Sequence, residues 1–216
     1  VYTVCPGFIY GCGENFFFDY FKASWFQSPS ELPIIENGDN FLPTIHIIDL
    51  AKTIKRVVEN KPNERYILAV DRTKNTTMKS LMQSISNAIG LGKIKNVYSN
   101  DIPDIDNFQN FTDLNINLNM KTSNIYIDER GKNEDFYEFK KRIFEWHCEF
   151  GISENQEKIR NEFKLYRKLK SIRIFITGQP GSGKTFIASE ISKELRIPHL
   201  KLFDMIEEAK VSTKPI

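Results

Sequence analysis

Apolar and polar positions alternate along the chain in two rhythms. Short β-branched or apolar runs at residues 1–4, 33–35, 44–46, 65–70 and 94–98 are bounded by turn residues and too brief for helices. Each predicts a strand. Between them lie stretches with helical spacing. Residues 15–27, rich in Phe16, Phe17, Phe18, Tyr20, Phe21, Trp25 and Phe26, predict a buried helix. Asp49 predicts the N-cap of a helix running to about Glu59, with Leu50, Ile54, Val57 and Val58 on one face. Residues 76–89 predict an amphipathic helix stopped at Gly90. Strand and helix alternating in this way predict an α/β domain with a mainly parallel sheet.

The rhythm changes further on. Residues 99–124 carry seven asparagines, Asn100, Asn107, Asn110, Asn115, Asn117, Asn119 and Asn124, and read as a polar surface excursion. Residues 133–170 read as helical, with a break at Gly151 and a cap at Ser153. The cations Lys158, Arg160, Lys164, Arg167, Lys168 and Lys170 are balanced there by Glu154, Glu157 and Glu162, so the stretch reads as a solvated face. The chain starts in a strand without a Met and ends just after a helix-like stretch, which reads as a segment of a longer protein.

Composition narrows the classes of function. The 216 residues are 40% hydrophobic and 27% charged, and 30 Lys and Arg face 28 Asp and Glu. A net charge of +2 supplies no field to gather nucleic acid or an anionic membrane, so neither is expected as a partner. No run of about 18 apolar residues is present to cross a bilayer. Three cysteines, Cys5, Cys12 and Cys148, without a Cys-x-x-Cys pair, argue against a disulfide framework and against zinc. His46, His147 and His199 are scattered among bulky neighbours and read as packed side chains without chemistry.

One motif carries chemistry. Residues 173–177, Arg-Ile-Phe-Ile-Thr, predict a strand leading into Gly178-Gln179-Pro180-Gly181-Ser182-Gly183-Lys184-Thr185. This fits Gly-x-x-x-x-Gly-Lys-Ser/Thr at every fixed position. Ile187, Ile191 and Leu195 then share one face of a following helix. Glycines let backbone N–H groups approach a phosphate, and the helix turns its positive end to the same anion. Lys184 is expected to meet the β- and γ-phosphates of ATP, and Thr185 to offer its hydroxyl to Mg²⁺. Gly178, Gly181, Ser182 and Gly183 complete the expected site. Two weaker patterns are coincidental: Tyr166 with Lys170, which sits in a charged helix, and Gly11-Cys12-Gly13, which lacks the third glycine of a dinucleotide fingerprint.

The region around the loop resembles the adenylate kinases, in which Gly-x-Pro-Gly-Ser-Gly-Lys is followed by a helix and a segment typically reading Ile-Pro-His-Ile-Ser-Thr-Gly-Asp-Met-Leu-Arg. Residues 197–207 here read Ile-Pro-His-Leu-Lys-Leu-Phe-Asp-Met-Ile-Glu. Leu202 and Phe203 replace the family's Thr-Gly, and Glu207 stands where the family has an AMP-binding Arg. A carboxylate there repels an acceptor phosphate. Residues 1 to about 100 resemble the back half of an extended short-chain dehydrogenase/epimerase. The resemblance rests on Pro6-Gly7-Phe8-Ile9-Tyr10-Gly11 and on Ile45-His46-Ile47-Ile48-Asp49-Leu50-Ala51. That family's glycine-rich first half and catalytic Tyr/Lys pair are not in this chain.

The order of the parts resembles an axonemal branch of the adenylate kinases that joins the two kinds of domain. It implies a partial Rossmann-like domain at 1–130, a helical connector at 131–170 and the start of a P-loop kinase domain at 171–216. It also implies Mg-ATP-dependent phosphoryl transfer to a nucleoside monophosphate in the full-length protein. Lys184 is the catalytic residue so implied, with ATP and Mg²⁺ as cofactors. The segment alone, without lid arginines and an acidic strand, is expected to be inactive. The location implied is the cytoplasm and ciliary axoneme, with axonemal proteins as partners. The alternative is an inactive scaffold of the axoneme.

Overall fold

The computed structural model describes residues 1–98, 108–123, 126, 143–195 and 197–211. The chain divides into two compact units, Val1–Leu169 and Lys170–Ile216.

The first unit is α/β, as the alternation predicts, but its described strands form three separate parallel pairs and not one parallel sheet. Its strands are β1 (Thr3–Pro6), β2 (Phe8–Tyr10), β3 (Leu32–Ile35), β4 (Thr44–His46), β5 (Tyr66–Ala69) and β6 (Ile94–Val97). β1 pairs with β5, β2 with β4 and β3 with β6, all parallel. β2 went unseen in the sequence because Pro6-Gly7 reads as a break. Gly7 is instead where the chain changes partner: its N–H donates to Ala69 O at 3.0 Å, and the next N–H, of Phe8, donates to Pro43 O at 2.8 Å. A Cβ on Gly7 would lie 2.5 Å from Pro43 O, so a side chain would push β2 off its neighbour.

Helices α1 (Phe18–Phe26), α2 (Ile47–Asn60) and α3 (Met78–Ile89) fill the positions expected of them. α3 buries Met78, Leu81, Met82 and Ile85 and is capped by Thr77, whose hydroxyl accepts from Ser80 N. α2 departs from the expectation. Its N-cap is His46, whose ring accepts from Ile48 N, and Asp49 sits inside the first turn. The inward stripe is Asp49, Thr53 and Val57, whereas Ile54 and Val58 are 49% and 67% exposed. Polar residues win the inner face because they are satisfied there. Asp49 accepts from His147 N and Cys148 N, and the Thr53 hydroxyl donates to Asp49 O and meets Tyr126 Oη.

Residues 133–142 of the expected long helix lie outside the described residues, and 143–150 are not helical. Helix resumes at α4 (Gly151–Glu154) and α5 (Gln156–Tyr166). Ile152, Ile159 and Phe163 join the core of the first unit, with the Phe163 ring tilted against that of Phe21, centroids 5.1 Å apart. Residues 151–166, within the stretch read as a connector, thus pack into that core through their own buried apolar side chains. In the asparagine-rich stretch, residues 99–107 and 124–125 lie outside the described residues. Phe108, Phe111 and Leu114 are buried, so residues 108–114 are an anchored segment and not a surface excursion.

In the second unit, α6 (Lys184–Leu195) and α7 (Leu202–Val211) are helical. The strand expected at 173–177 does not form: this stretch is irregular, and Phe175 is 91% exposed. A strand needs a neighbour to take its backbone hydrogen bonds, and none of the described residues pairs with this stretch.

Candidate functional site

Gly178, Gly181, Ser182, Gly183, Lys184 and Thr185 form one continuous loop that ends in the first turn of α6. Gly181 and Gly183 have φ of +78° and +79°, in the left-handed region that side chains rarely adopt. A Cβ built on either meets no atom within 4 Å, so these glycines are required by backbone conformation and face open space. The first N–H groups of α6 have no partner within the helix and carry its positive end. Lys184 Nζ folds back into the loop, donating to Gln179 O at 2.5 Å and lying 3.4 Å from Ser182 Oγ. An ammonium reaching a loop carbonyl stands where a phosphate oxygen is equally within reach. The residues present therefore fit the phosphates of a nucleotide. Glu207 is exposed and paired with Lys210 at 3.0 Å, a turn along α7.

A second cluster lies in the first unit, where the sequence reading placed only packed histidines. Glu162 Oε2 is 2.9 Å from His46 Nε2, and Oε1 is 2.6 Å from His147 Nε2. The two imidazole rings lie against each other, tilted by 37°, with centroids 4.4 Å apart. His46 Nδ1 accepts from Ile48 N at 3.2 Å, so its proton sits on Nε2 and is donated to Glu162. Cys12 N also donates to Glu162 Oε2, at 3.4 Å. Burial alone would raise the Glu162 pKa. Hydrogen bonds donated by His46, His147 and the Cys12 N–H outweigh it and bring the carboxyl down to about 2. No sequence signal pointed to this triplet, because 116 residues separate His46 from Glu162. His199 belongs to the second unit.

His46, His147 and Cys148, and likewise Cys12, His46 and Glu162, each bring three metal-ligating atoms within 4.8 Å of one another. Both sets depend on His46. Its one ring lone pair faces the Ile48 N–H and its one proton faces Glu162, so it has nothing to give a metal. A metal-bound imidazole normally donates its second N–H to an acceptor, the reverse of what Ile48 offers. The cluster is a hydrogen-bonded network.

That network braces an unusual loop. Gly11, Cys12, Gly13 and Glu14 have φ of +98°, +56°, +94° and +59°, a run of four left-handed residues. For Cys12 and Glu14 this costs roughly 1–2 kcal/mol each. Gly11 must lack a side chain, since a Cβ there would sit 2.0 Å from His46 Nε2. Arg167 donates to Gly13 O and Glu14 O and lies over the Phe18 ring, its Cζ 4.2 Å from the centroid.

A parallel α/β unit followed by a Gly-Lys-Thr loop at a helix N-terminus gives the chain the character of a P-loop protein, kinase-like in sequence. Over 210 residues it is 32% identical to adenylate kinase 7 of Macaca fascicularis, and equally to that of Mus musculus. The alignments take in 96% of this chain, but 37% and 32% of those proteins, so the chain spans about a third of the length of the curated relatives it matches. No family model matches the chain. Along nearly its whole length the chain is adenylate kinase 7-like.

Proposed function

We propose that the full-length protein is a Mg²⁺-dependent nucleoside monophosphate kinase whose ATP-binding loop is residues 178–185. The observation that carries this reading is the loop itself: an unbroken motif, left-handed glycines over open space, and Lys184 already turned into the loop. The similarity to adenylate kinase 7 supports it. Backbone N–H groups of 181–185 hold the phosphates, Lys184 leaves Gln179 O to neutralise the β- and γ-oxygens, and the Thr185 hydroxyl orients the metal. Bound Mg²⁺ supplies charge neutralisation of the transferring phosphoryl group. Lys184→Ala in the full-length protein is expected to weaken ATP binding at least tenfold, as read by calorimetry; an unchanged affinity would remove Lys184 from the donor site.

A second reading rests on Glu207, which places a carboxylate where the adenylate kinases have a phosphate-binding Arg. On this reading the protein binds nucleotide without turnover and serves as a structural component. An assay of ADP formation from ATP and AMP by the full-length protein separates the two. Residence in the ciliary axoneme, among axonemal partners, is part of both proposals and rests on the resemblance in the order of the parts. Imaging the tagged protein in ciliated cells tests it, and exclusion from the cilium would end it.

A further inference from the structure

Among the described residues only 11–14 form a run of four with positive φ, and the run closes on a buried carboxyl group. We propose that this loop and helix α5 form a proton-operated catch: neutral Glu14 keeps the loop seated, and ionised Glu14 releases the loop together with the last turn of α5.

Glu14 is 5% exposed. Its Oε1 accepts from Gly11 N at 2.8 Å, and its Oε2 has no partner. Once ionised, this carboxylate is a buried charge with half its acceptor capacity unmet. The groups facing it do not supply the remedy. Glu162 on α5 has the same sign and is held anionic by His46 and His147. Tyr10 on β2 interacts with it but brings no positive charge. Arg167, just past α5, is the cation at hand, yet its Nε and Nη2 hydrogens go to the carbonyls of Gly13 and Glu14. His46 of β4 lies beneath Gly11 with both ring nitrogens engaged, and Tyr166 packs against Gly13. Cys12, inside the loop, gives its N–H to Glu162. Burial accordingly raises the Glu14 carboxyl to about 7 against the Gly11 N–H, with Glu162 adding to the rise and Arg167 opposing it.

The consequence is directional. A carboxyl of ordinary pKa in the released loop and of pKa about 7 when seated makes release easier as pH rises from about 4.5 to 7, by up to roughly 300-fold. Release also relaxes the left-handed backbone of Cys12 and Glu14, and it breaks the hold of loop carbonyls on Arg167. What is freed is the stretch leading to Lys170, where the second unit begins.

Hydrogen exchange on the full-length protein, followed by mass spectrometry from pH 5.5 to 8, reads the catch directly. Glu14→Gln measured at each pH cancels the intrinsic pH dependence of exchange. The protection of residues 11–18 and 162–169 in the native protein, relative to Glu14→Gln, is expected to fall at least tenfold across that range. A ratio constant with pH overturns the proposal. Should Glu14→Gln fail to fold, the Gly11, Cys12 and Gly13 amide resonances of the native protein are expected to titrate near neutrality. Titration only in the ordinary carboxylate range overturns it equally.

Discussion

Glu162 shows how much one side chain can organise. It carries hydrogen bonds from two histidines that are far apart in sequence, and a third from the backbone of a strained loop. Glu162→Ala leaves His46 Nε2–H and His147 Nε2–H without their acceptor and is expected to cost about 1.5–3 kcal/mol at pH 7, measured by urea unfolding. Because its folded pKa of about 2 lies below the ordinary value of 4.5, its stabilisation is complete above pH 4.5 and disappears as pH falls through about 2. The native–variant difference should close over that window, and a difference unchanged at pH 2 would rule out the carboxylate as its source. None of this was legible in the sequence. A histidine beside Ile45 and Ile47 looks like packing until the fold brings a carboxylate to it. The glycine-rich turn at 178–185 and the helix after it were legible because spacing within eight consecutive positions specifies the backbone.

Elements were legible where period and burial agree. α3 buries the apolar side chains that its pattern predicts, and Gly90 ends it. α2 misled because its inner face holds Asp49 and Thr53, whose partners come from other parts of the chain. The strand expected at 173–177 has the right composition, but β structure is a property of pairs of segments. α5 reads as a charged, solvated helix, yet its two buried residues, Ile159 and Phe163, fasten it to the core. Phe163→Ala removes the ring packed against Phe21 and is expected to cost about 3–5 kcal/mol. Thermal unfolding of the first unit checks this. A loss below about 1 kcal/mol would mean that α5 is a loosely attached helix.

At the scale of the whole molecule, the two units differ in how completely they enclose their apolar side chains. In the second, Phe175, Phe186, Leu200, Leu202 and Phe203 are each more than 70% exposed, and among its described residues no side chain is buried. The first has a buried core, but α2 turns Ile47, Ile54 and Val58 to solvent, one above another at helical spacing. That outward stripe bears on the colloidal behaviour of these 216 residues in isolation. An apolar ridge on a rigid helix meets its like at little entropic cost, so the concentration at which the isolated chain stays dispersed is set by this ridge as much as by its small net charge. Sedimentation velocity is expected to show reversible self-association growing with concentration. Replacing Ile54 and Val58 with lysine should suppress it without lowering the unfolding temperature, and self-association undiminished in that variant would shift the adhesive surface to the second unit.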